Sequence, residues 1–336
     1  MTIKDVAVYS GVSVSTVSRV LNNHPDVSQK VREKVLAAVD ELHYVPNDSA
    51  RDLVKAQSDV IGVVVRGFEN PFFTSVLRAI EQVSSKAGYT VVLNQISTED
   101  DEISAAASLV RSKRLKGLIL LGGCFDYTPE RIASLEVPFV CCTFTNSFGT
   151  LKKTAFSSVC IDDYAEAYRA VKILTDSGHK KIAVLLDSVN DRSISELRFK
   201  GYCDALKDAG ITLDEDLIVE TVDFKMETAY KSTKDLLLRR NDFTALFAIA
   251  DSMGIAAMKA LSDFGKSSPK DCSVIAIDGI DMSLYTVPTL TTLIQPCETM
   301  GTEAVRILIE VLQGKRKSQH IRLDTVLRKG GTVGFL

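Results

Sequence analysis

This chain lacks the residue patterns that mark most enzymes, metalloproteins and secreted or membrane proteins. Its cysteines (Cys124, Cys141, Cys142, Cys160, Cys203, Cys272 and Cys297) are odd in number and contain no CxxC pair. Most fall inside apolar runs, where a reduced thiol behaves as a small hydrophobe. That argues against a disulfide framework and against zinc. The histidines, His24, His43, His179 and His320, are never paired at metal-ligand spacing. Gly265-Lys266-Ser267 lacks the earlier glycine of a phosphate loop, and Gly330-Gly331 with Gly334 has no helix pattern after it. No nucleophile elbow frames a serine. The expectation is a protein that is not an enzyme and carries no cofactor. No apolar run approaches the roughly 18 residues needed to cross a bilayer. The N-terminus opens on a helix pattern rather than on an apolar leader. A cytoplasmic protein with no membrane partner is expected.

What is present begins with the first fifty-odd residues. Ser13 to Asn22 reads as a short helix with two faces. Val17, Val20 and Leu21 form a stripe at i, i+3 and i+4 that can bury, while Val14, Ser15, Ser18, Arg19 and Asn22 face outward. Ser13 is placed to cap it. Ile3 to Ser10 is a second helical pattern with Val6 and Ala7 inward. Gly11 suits the positive φ of a tight turn between the two. Helix, turn and helix with a polar outer face is the arrangement whose second helix enters the DNA major groove. A third helix follows Ser28, with Val31, Val35, Val39 and Leu42 inward. Pro46 closes that segment. Charge gives this region no help. Lys4, Arg19, Lys30, Arg32, Lys34, Arg51 and Lys55 are balanced by Asp5, Asp26, Glu33, Asp40, Glu41, Asp48 and Asp52. Phosphate affinity must then come from local placement and backbone N–H groups.

Ile3-Lys4-Asp5-Val6-Ala7, Gly11-Val12-Ser13 and Thr16-Val17-Ser18-Arg19-Val20-Leu21-Asn22 resemble the headpiece of the lactose/galactose-repressor family. The resemblance continues through Val27-Ser28, Val31-Arg32, Leu42, Tyr44, Pro46-Asn47, Ala50-Arg51 and Leu53, and then through most of the chain. It implies a DNA-binding headpiece over residues 1–46 and a hinge helix over 47–58. It implies a sequence-specific transcriptional regulator, a repressor, acting as a homodimer on pseudo-palindromic double-stranded operator DNA. The DNA-contacting set it implies is Thr2, Ser13, Val14, Ser15, Thr16, Ser18, Arg19, Asn22, Ser28, Tyr44, Asn47, Ala50 and Leu53. Leu53 is the apolar wedge entering the central base step, exchanging unstacking energy for a bent duplex. Val14 suits a thymine methyl and Ser15 is permissive, so the operator is not readable from them. Arg19 is the best match for a guanine edge.

From Val60 the pattern changes. Ile61 to Val65 is a continuous apolar run, the mark of a strand buried on both faces. Strands and helices then alternate, including a helix near Arg131, and the series restarts around Val159–Asp162. Two doubly wound parallel-sheet lobes are the simplest account. The resemblance makes them a periplasmic-binding-protein-like α/β body whose chain crosses between lobes three times. The expected first lobe is 59–160 with 291–319, and the second 161–290 with 320–336. The tail after Arg328 shows no apolar heptads, so no further tetramerising helix is expected.

Open α/β sheets bind ligands beyond the carboxyl ends of their strands. Asp278 ends the apolar strand Val274–Ile277, a stronger site signal than most. Phe72 and Phe73 follow the first strand and also read as core, Phe73 equally so. Asp162 also reads as a helix cap, and Arg192 and Arg198 as surface charges. By resemblance, Arg198 and Asp278 clamp the effector, Phe73 and Phe224 wall it, and Asp162, Arg192 and Gln295 join them; Phe72 and Asp251 complete the expected effector-binding set. A carboxylate facing a guanidinium among aromatic faces suits a polyhydroxylated sugar. Two departures from the family leave a nucleobase or a phosphorylated metabolite open. Ala250-Asp251 stands where Asn-Asp is frequent, and Gly279 where Asp or Asn is. The rival classes are a sugar receptor without DNA function and an enzyme on the same scaffold.

Overall fold

The computed structural model describes residues 1–21, 24–44 and 59–336. The chain divides into two units, 1–58 and 59–336. In the first, α1 (Ile3–Ser10), α2 (Val14–Leu21) and α3 (Gln29–Glu41) enclose a small core. Val6, Ala7, Val17, Val20, Val35 and Ala38 are buried there, and Val31, Val39, Leu42 and Tyr44 pack against them. The helical spacing of these residues puts one apolar stripe per helix on the shared core. Gly11 ends α1 at φ 62°, the left-handed value that only glycine adopts freely. Thr2 precedes α1 and donates its backbone N–H to Asp5 Oδ2 at 2.7 Å. Ser28 stands at the start of α3, but its carbonyl rather than its hydroxyl closes the first turn, accepting from Val31 and Arg32. Asn22, Asn47, Ala50, Leu53 and the expected hinge lie outside the described residues.

The second unit is built from alternating strands and helices. In chain order these are β1 (Val60–Arg66), α4 (Phe72–Lys86), β2 (Thr90–Ile96), α5 (Glu102–Lys113), β3 (Gly117–Leu121), β4 (Phe139–Cys142) and β5 (Ser157–Cys160). Next come α6 (Asp163–Asp176), β6 (Ile182–Leu186), α7 (Ile194–Asp208), β7 (Ile218–Glu220), α8 (Met226–Arg239), β8 (Ala245–Ala248), α9 (Asp251–Asp263) and β9 (Ser273–Asp278). The unit ends with β10 (Thr291–Ile294), α10 (Cys297–Leu312), β11 (His320–Arg322) and β12 (Val326–Arg328). Two six-stranded sheets result, in the orders β11-β5-β4-β3-β1-β2 and β12-β10-β9-β8-β6-β7. All pairings are parallel except β10 with β12. Strands such as β3 and β6 are buried along their whole length, because helices cover both faces. Among the described residues, no helix is long and apolar enough to cross a membrane.

Three expectations are corrected here. Arg131 is not on a helix; it lies in turns, held by ion pairs to Asp101 and Asp126. Residues Thr291–Ile294, expected with the first lobe, form β10 and pair with β9 of the second sheet. The chain leaves that sheet only after them, and α10 packs on α4 and β4 of the first lobe. Residues His320–Arg322, expected with the second lobe, pair with β5 of the first sheet. A strand of three or four residues carries no local mark of the sheet it joins; the ladder partner decides it.

Candidate functional site

In the headpiece, Ser13, Val14, Ser15 and Arg19 are exposed on one side of α2, while Val17 and Val20 are buried on the other. Ser13 Oγ accepts from the Thr16 backbone N–H at 3.2 Å. It also lies 2.8 Å from the hydroxyls of both Ser15 and Thr16. Three hydroxyls therefore gather at the start of α2, where unpaired backbone N–H groups and the helix dipole favour an anion such as a phosphate. Thr2 and Ser28 are exposed, Ser18 is partly exposed, and Tyr44 is partly buried against the headpiece core.

In the body, the strands of both sheets deliver their carboxyl ends to one cleft between the lobes, open to solvent. The first lobe contributes Arg66, Asn70, Phe72, Phe73, Thr98 and Thr143, and the second contributes Asp187, Ser193, Ile194, Arg198, Phe224, Asp278 and Gln295. Phe72, Phe73, Arg198, Phe224, Asp278 and Gln295 of the expected set are thus brought together. Phe72 and Phe73 stand with ring centroids 5.5 Å apart, tilted 60°. They begin α4, directly after the β1 loop, which is why one edge of each meets the cleft while the rest joins the core.

Asp278 and Arg198 form the polar floor. Asp278 is 2% exposed, and its Oδ1 accepts from Gln295 Nε2 at 2.8 Å. Its Oδ2 accepts from Asn70 Nδ2 of the opposite lobe at 3.2 Å. Arg198 Nη1 lies 3.8 Å from Asp278 Oδ1. Burial dominates the Asp278 carboxyl and pushes it up, with Asp251 adding to the shift and Arg198, Asn70 and Gln295 opposing it. The rest of the guanidinium is engaged away from the cleft: Nε and Nη2 donate to Asp163 Oδ1 at 3.0 and 2.8 Å, and Nη1 donates to the Ile249 carbonyl. Burial likewise raises the Asp163 carboxyl, against the pull of Arg198.

Three expected residues do not line the cleft. Asp162 caps α6, accepting from Ala165 N–H at 3.1 Å, and binds Arg322 at 2.7 Å. Its neighbour Asp163 turns inward instead. Arg192 has φ 52° and a side chain 63% exposed, and its carbonyl accepts from Phe125 N–H across the lobes at 2.8 Å. Asp251 is fully buried behind the cleft. Its Oδ2 accepts from the Gly279 and Ile280 N–H groups at 3.0 Å each and from the Ser283 hydroxyl at 2.8 Å, while Oδ1 accepts from Thr292. It holds the loop that presents Asp278, whose φ of 139° is a region L-residues rarely adopt. The glycine departure has a local cause as well. Gly279 has φ 77°, and a Cβ there would meet Ile294 Cα at 2.8 Å. Ala250 is buried and does not line the cleft.

Sequence reasoning passed over Asp163, Asn70, Arg66 and Asp187. For the last two a signal existed. Arg66 and Asp187 are charged residues closing apolar strands, the same sign that singled out Asp278. Asn70 precedes a proline and its role depends on a residue far along the chain, which no local pattern reveals.

Comparison with known proteins agrees with this geometry. The profile of the bacterial regulatory proteins of the lacI family matches residues 2–47, and that of a periplasmic binding protein-like domain matches 171–333. The chain is 39% identical over 329 residues to the HTH-type transcriptional regulator MalR of Clostridium butyricum, covering 97% of each. It is 32% identical to the HTH-type transcriptional repressor PurR of Pectobacterium carotovorum, covering 95% of this chain and 93% of that one. A Lac repressor dimer bound to operator and the anti-inducer ONPF is similar at a TM-score of 0.77, 27% identity and 99% coverage of both chains. The regulator CelR in complex with cellobiose gives 0.72, 28% and 99% of both. The chain belongs to the lacI family of bacterial transcriptional regulators, DNA-binding proteins rather than enzymes.

Proposed function

We infer that the chain acts as a homodimer on a two-fold symmetric operator, and that a neutral, polyhydroxylated sugar in the interlobe cleft sets its affinity. The observation that carries the sugar reading is the state of the cleft's charges. Arg198, the guanidinium nearest Asp278, is already taken by Asp163 and the Ile249 carbonyl. Arg66 stands 3.7 Å from the buried Glu102. The lining also holds Asp187 and Asp278, so it carries no excess of positive charge for a phosphate. It offers amide, hydroxyl and carboxylate groups between phenylalanine faces, a setting that suits hydroxyls on one side of a ring and C–H groups on the other. The cellobiose complex of CelR supports the same reading.

On the DNA side, α2 is the reading helix, with Val14, Ser15 and Arg19 toward base edges and Ser13, Thr16 and Ser18 toward phosphates. Asn22, Tyr44, Asn47, Ala50 and Leu53 complete the set, Leu53 as a minor-groove wedge. The test is selection of random duplex DNA by the full-length chain at one fixed moderate salt, alone and with cellobiose, maltose, ribose or hypoxanthine. A two-fold symmetric site whose enrichment changes with a sugar is the expected result, and Arg19→Ala abolishes it. A response to hypoxanthine but to no sugar overturns the sugar reading. An Arg19→Ala chain that selects the same site equally well overturns the role of α2.

A further inference from the structure

Asp187 follows β6, and Arg66 ends β1; the two strands hold the same position in their respective sheets. Asp187 is 9% exposed and lines the cleft. Among the described residues, no side-chain or backbone donor reaches its carboxylate. The acids around it are engaged. Asp191 Oδ1 accepts from Ser193 N–H at 3.0 Å, and Glu220 Oε1 accepts from Val189 N–H at 2.8 Å. Asp223 pairs with Lys225 at 3.3 Å. Asp278, the other lining carboxylate, has Asn70 and Gln295.

Its oxygens keep some access to the solvent of the cleft, but an ionised carboxylate that is mostly buried and has no protein donor is poorly solvated, and that costs stability. Here burial first, and then Asp191, pushes the carboxyl up to about 6; Asp223 and Glu220 add to the push and Arg66 opposes it. A group left in that condition, in the lining of the cleft, is placed to take donors from a ligand.

We propose that Asp187 is an effector-binding residue that accepts hydrogen bonds from a donor-rich group of the ligand, paired hydroxyls or an ammonium, and excludes anionic groups. The proposal rests on the cleft being the effector site. Asp187 thereby sets which end of the sugar enters the cleft and bars its phosphorylated counterpart by charge repulsion.

The test uses full-length wild-type, Asp187→Asn and Asp278→Asn chains in thermal melts with cellobiose, maltose, glucosamine or glucose 6-phosphate as probes. Without ligand, Asp187→Asn melts higher than wild type near pH 8, by on the order of 2–4 °C. A carboxyl whose folded pKa is raised is at no disadvantage below its unfolded value and loses stability as pH rises through the folded value. With that value at about 6, the gap closes on going to acid. With ligand, a neutral sugar or glucosamine stabilises wild type, and both substitutions weaken that probe roughly ten- to a hundredfold. Loss confined to glucosamine assigns the ammonium, and loss with the disaccharides assigns the hydroxyls.

The proposal is overturned if Asp187→Asn is no more stable than wild type near neutral-to-basic pH. It is also overturned if glucose 6-phosphate stabilises wild type as well as the neutral sugars do. Stabilisation kept in Asp187→Asn but lost in Asp278→Asn removes Asp187 and leaves the cleft standing. Stabilisation kept in both removes the cleft reading, and the Asp187 role with it.

Discussion

Asp251→Ala tests whether the cleft is set from behind. The carboxylate takes two backbone N–H groups, from Gly279 and Ile280, and two hydroxyls, from Ser283 and Thr292. Removing it leaves the buried Ile280 N–H and the part-buried Gly279 N–H without an acceptor, at about 1–3 kcal/mol for the first and less for the second. The hydroxyls lose less, because they rotate; the single Ser283 proton can turn to the Ile280 carbonyl, 2.5 Å away. Part of the loss is returned, since burial raises the Asp251 carboxyl and the charge itself is costly. A net loss of about 3 kcal/mol remains, or roughly 5 °C in melting temperature for a body of this size. The assay is a calorimetric melt of the full chain, with effector titration beside it. Effector affinity should fall as well, although Asp251 does not line the cleft, because Asp278 loses the support of its unusual backbone angle. Asp251→Asn keeps one acceptor oxygen and loses less. A melt within about 2 °C of wild type together with unchanged effector affinity would refute the reasoning.

In the headpiece, Val17→Ala removes two fully buried methyl groups from a core of three short helices and costs about 2 kcal/mol. Circular dichroism should show the small helical unit melting earlier while the body's transition stays in place. In the body, Arg198→Met strands the Asp163 carboxylate and destabilises by about 3–5 kcal/mol, whereas adding Asp163→Leu restores most of it, since a buried ion pair is costly to break and cheap to replace. Additive losses in that double-mutant cycle would argue against the pair as drawn. Asn70→Ala removes the hydrogen bond that joins the lobes at Asp278. Small-angle scattering of the ligand-free chain should then report a more open body, and an unchanged profile would count against that bond as a tether.

Much of the fold was legible because its signals are local. The apolar run Ile61–Val65 became β1, and Ile182–Leu186 became β6 without a change of boundary. The stripe of Val17 and Val20 and the glycine at 11 fixed the headpiece for the same reason. What escaped depends on contacts between distant residues. Asp162 and Asp163 are neighbours with the same side chain, yet one caps a helix in solvent and the other binds Arg198 in the core. Only helical phase, set by packing of α6 on α7, separates them. The lobes' exchange of β10 and β11 is a choice of ladder partner, made over sequence separations that periodicity does not see. The resemblance sets Asp251 with the ligand, in the place of the family's Asn-Asp pair. Its side chain turns inward instead, where two backbone N–H groups need an acceptor.

The cross-lobe bonds bear on how a ligand acts. A ligand shifts the balance between two lobe arrangements only by the difference in its affinity for them. In this arrangement Asn70 occupies Asp278 Oδ2, and the Phe125 N–H occupies the Arg192 carbonyl. A sugar hydroxyl that reaches Asp278 therefore competes with Asn70 unless it bridges the two. Competition trades a direct tether for a ligand-mediated one and loosens the lobes at that point; bridging adds to the tether and tightens them. The two cases predict opposite effects of Asn70→Ala on effector affinity. Removing a competitor strengthens binding, and removing a partner weakens it, by about ten- to a hundredfold for one hydrogen bond to a carboxylate. Titration of the variant by calorimetry decides between them. An affinity unchanged within error would mean that the ligand does not meet Asp278 at that oxygen.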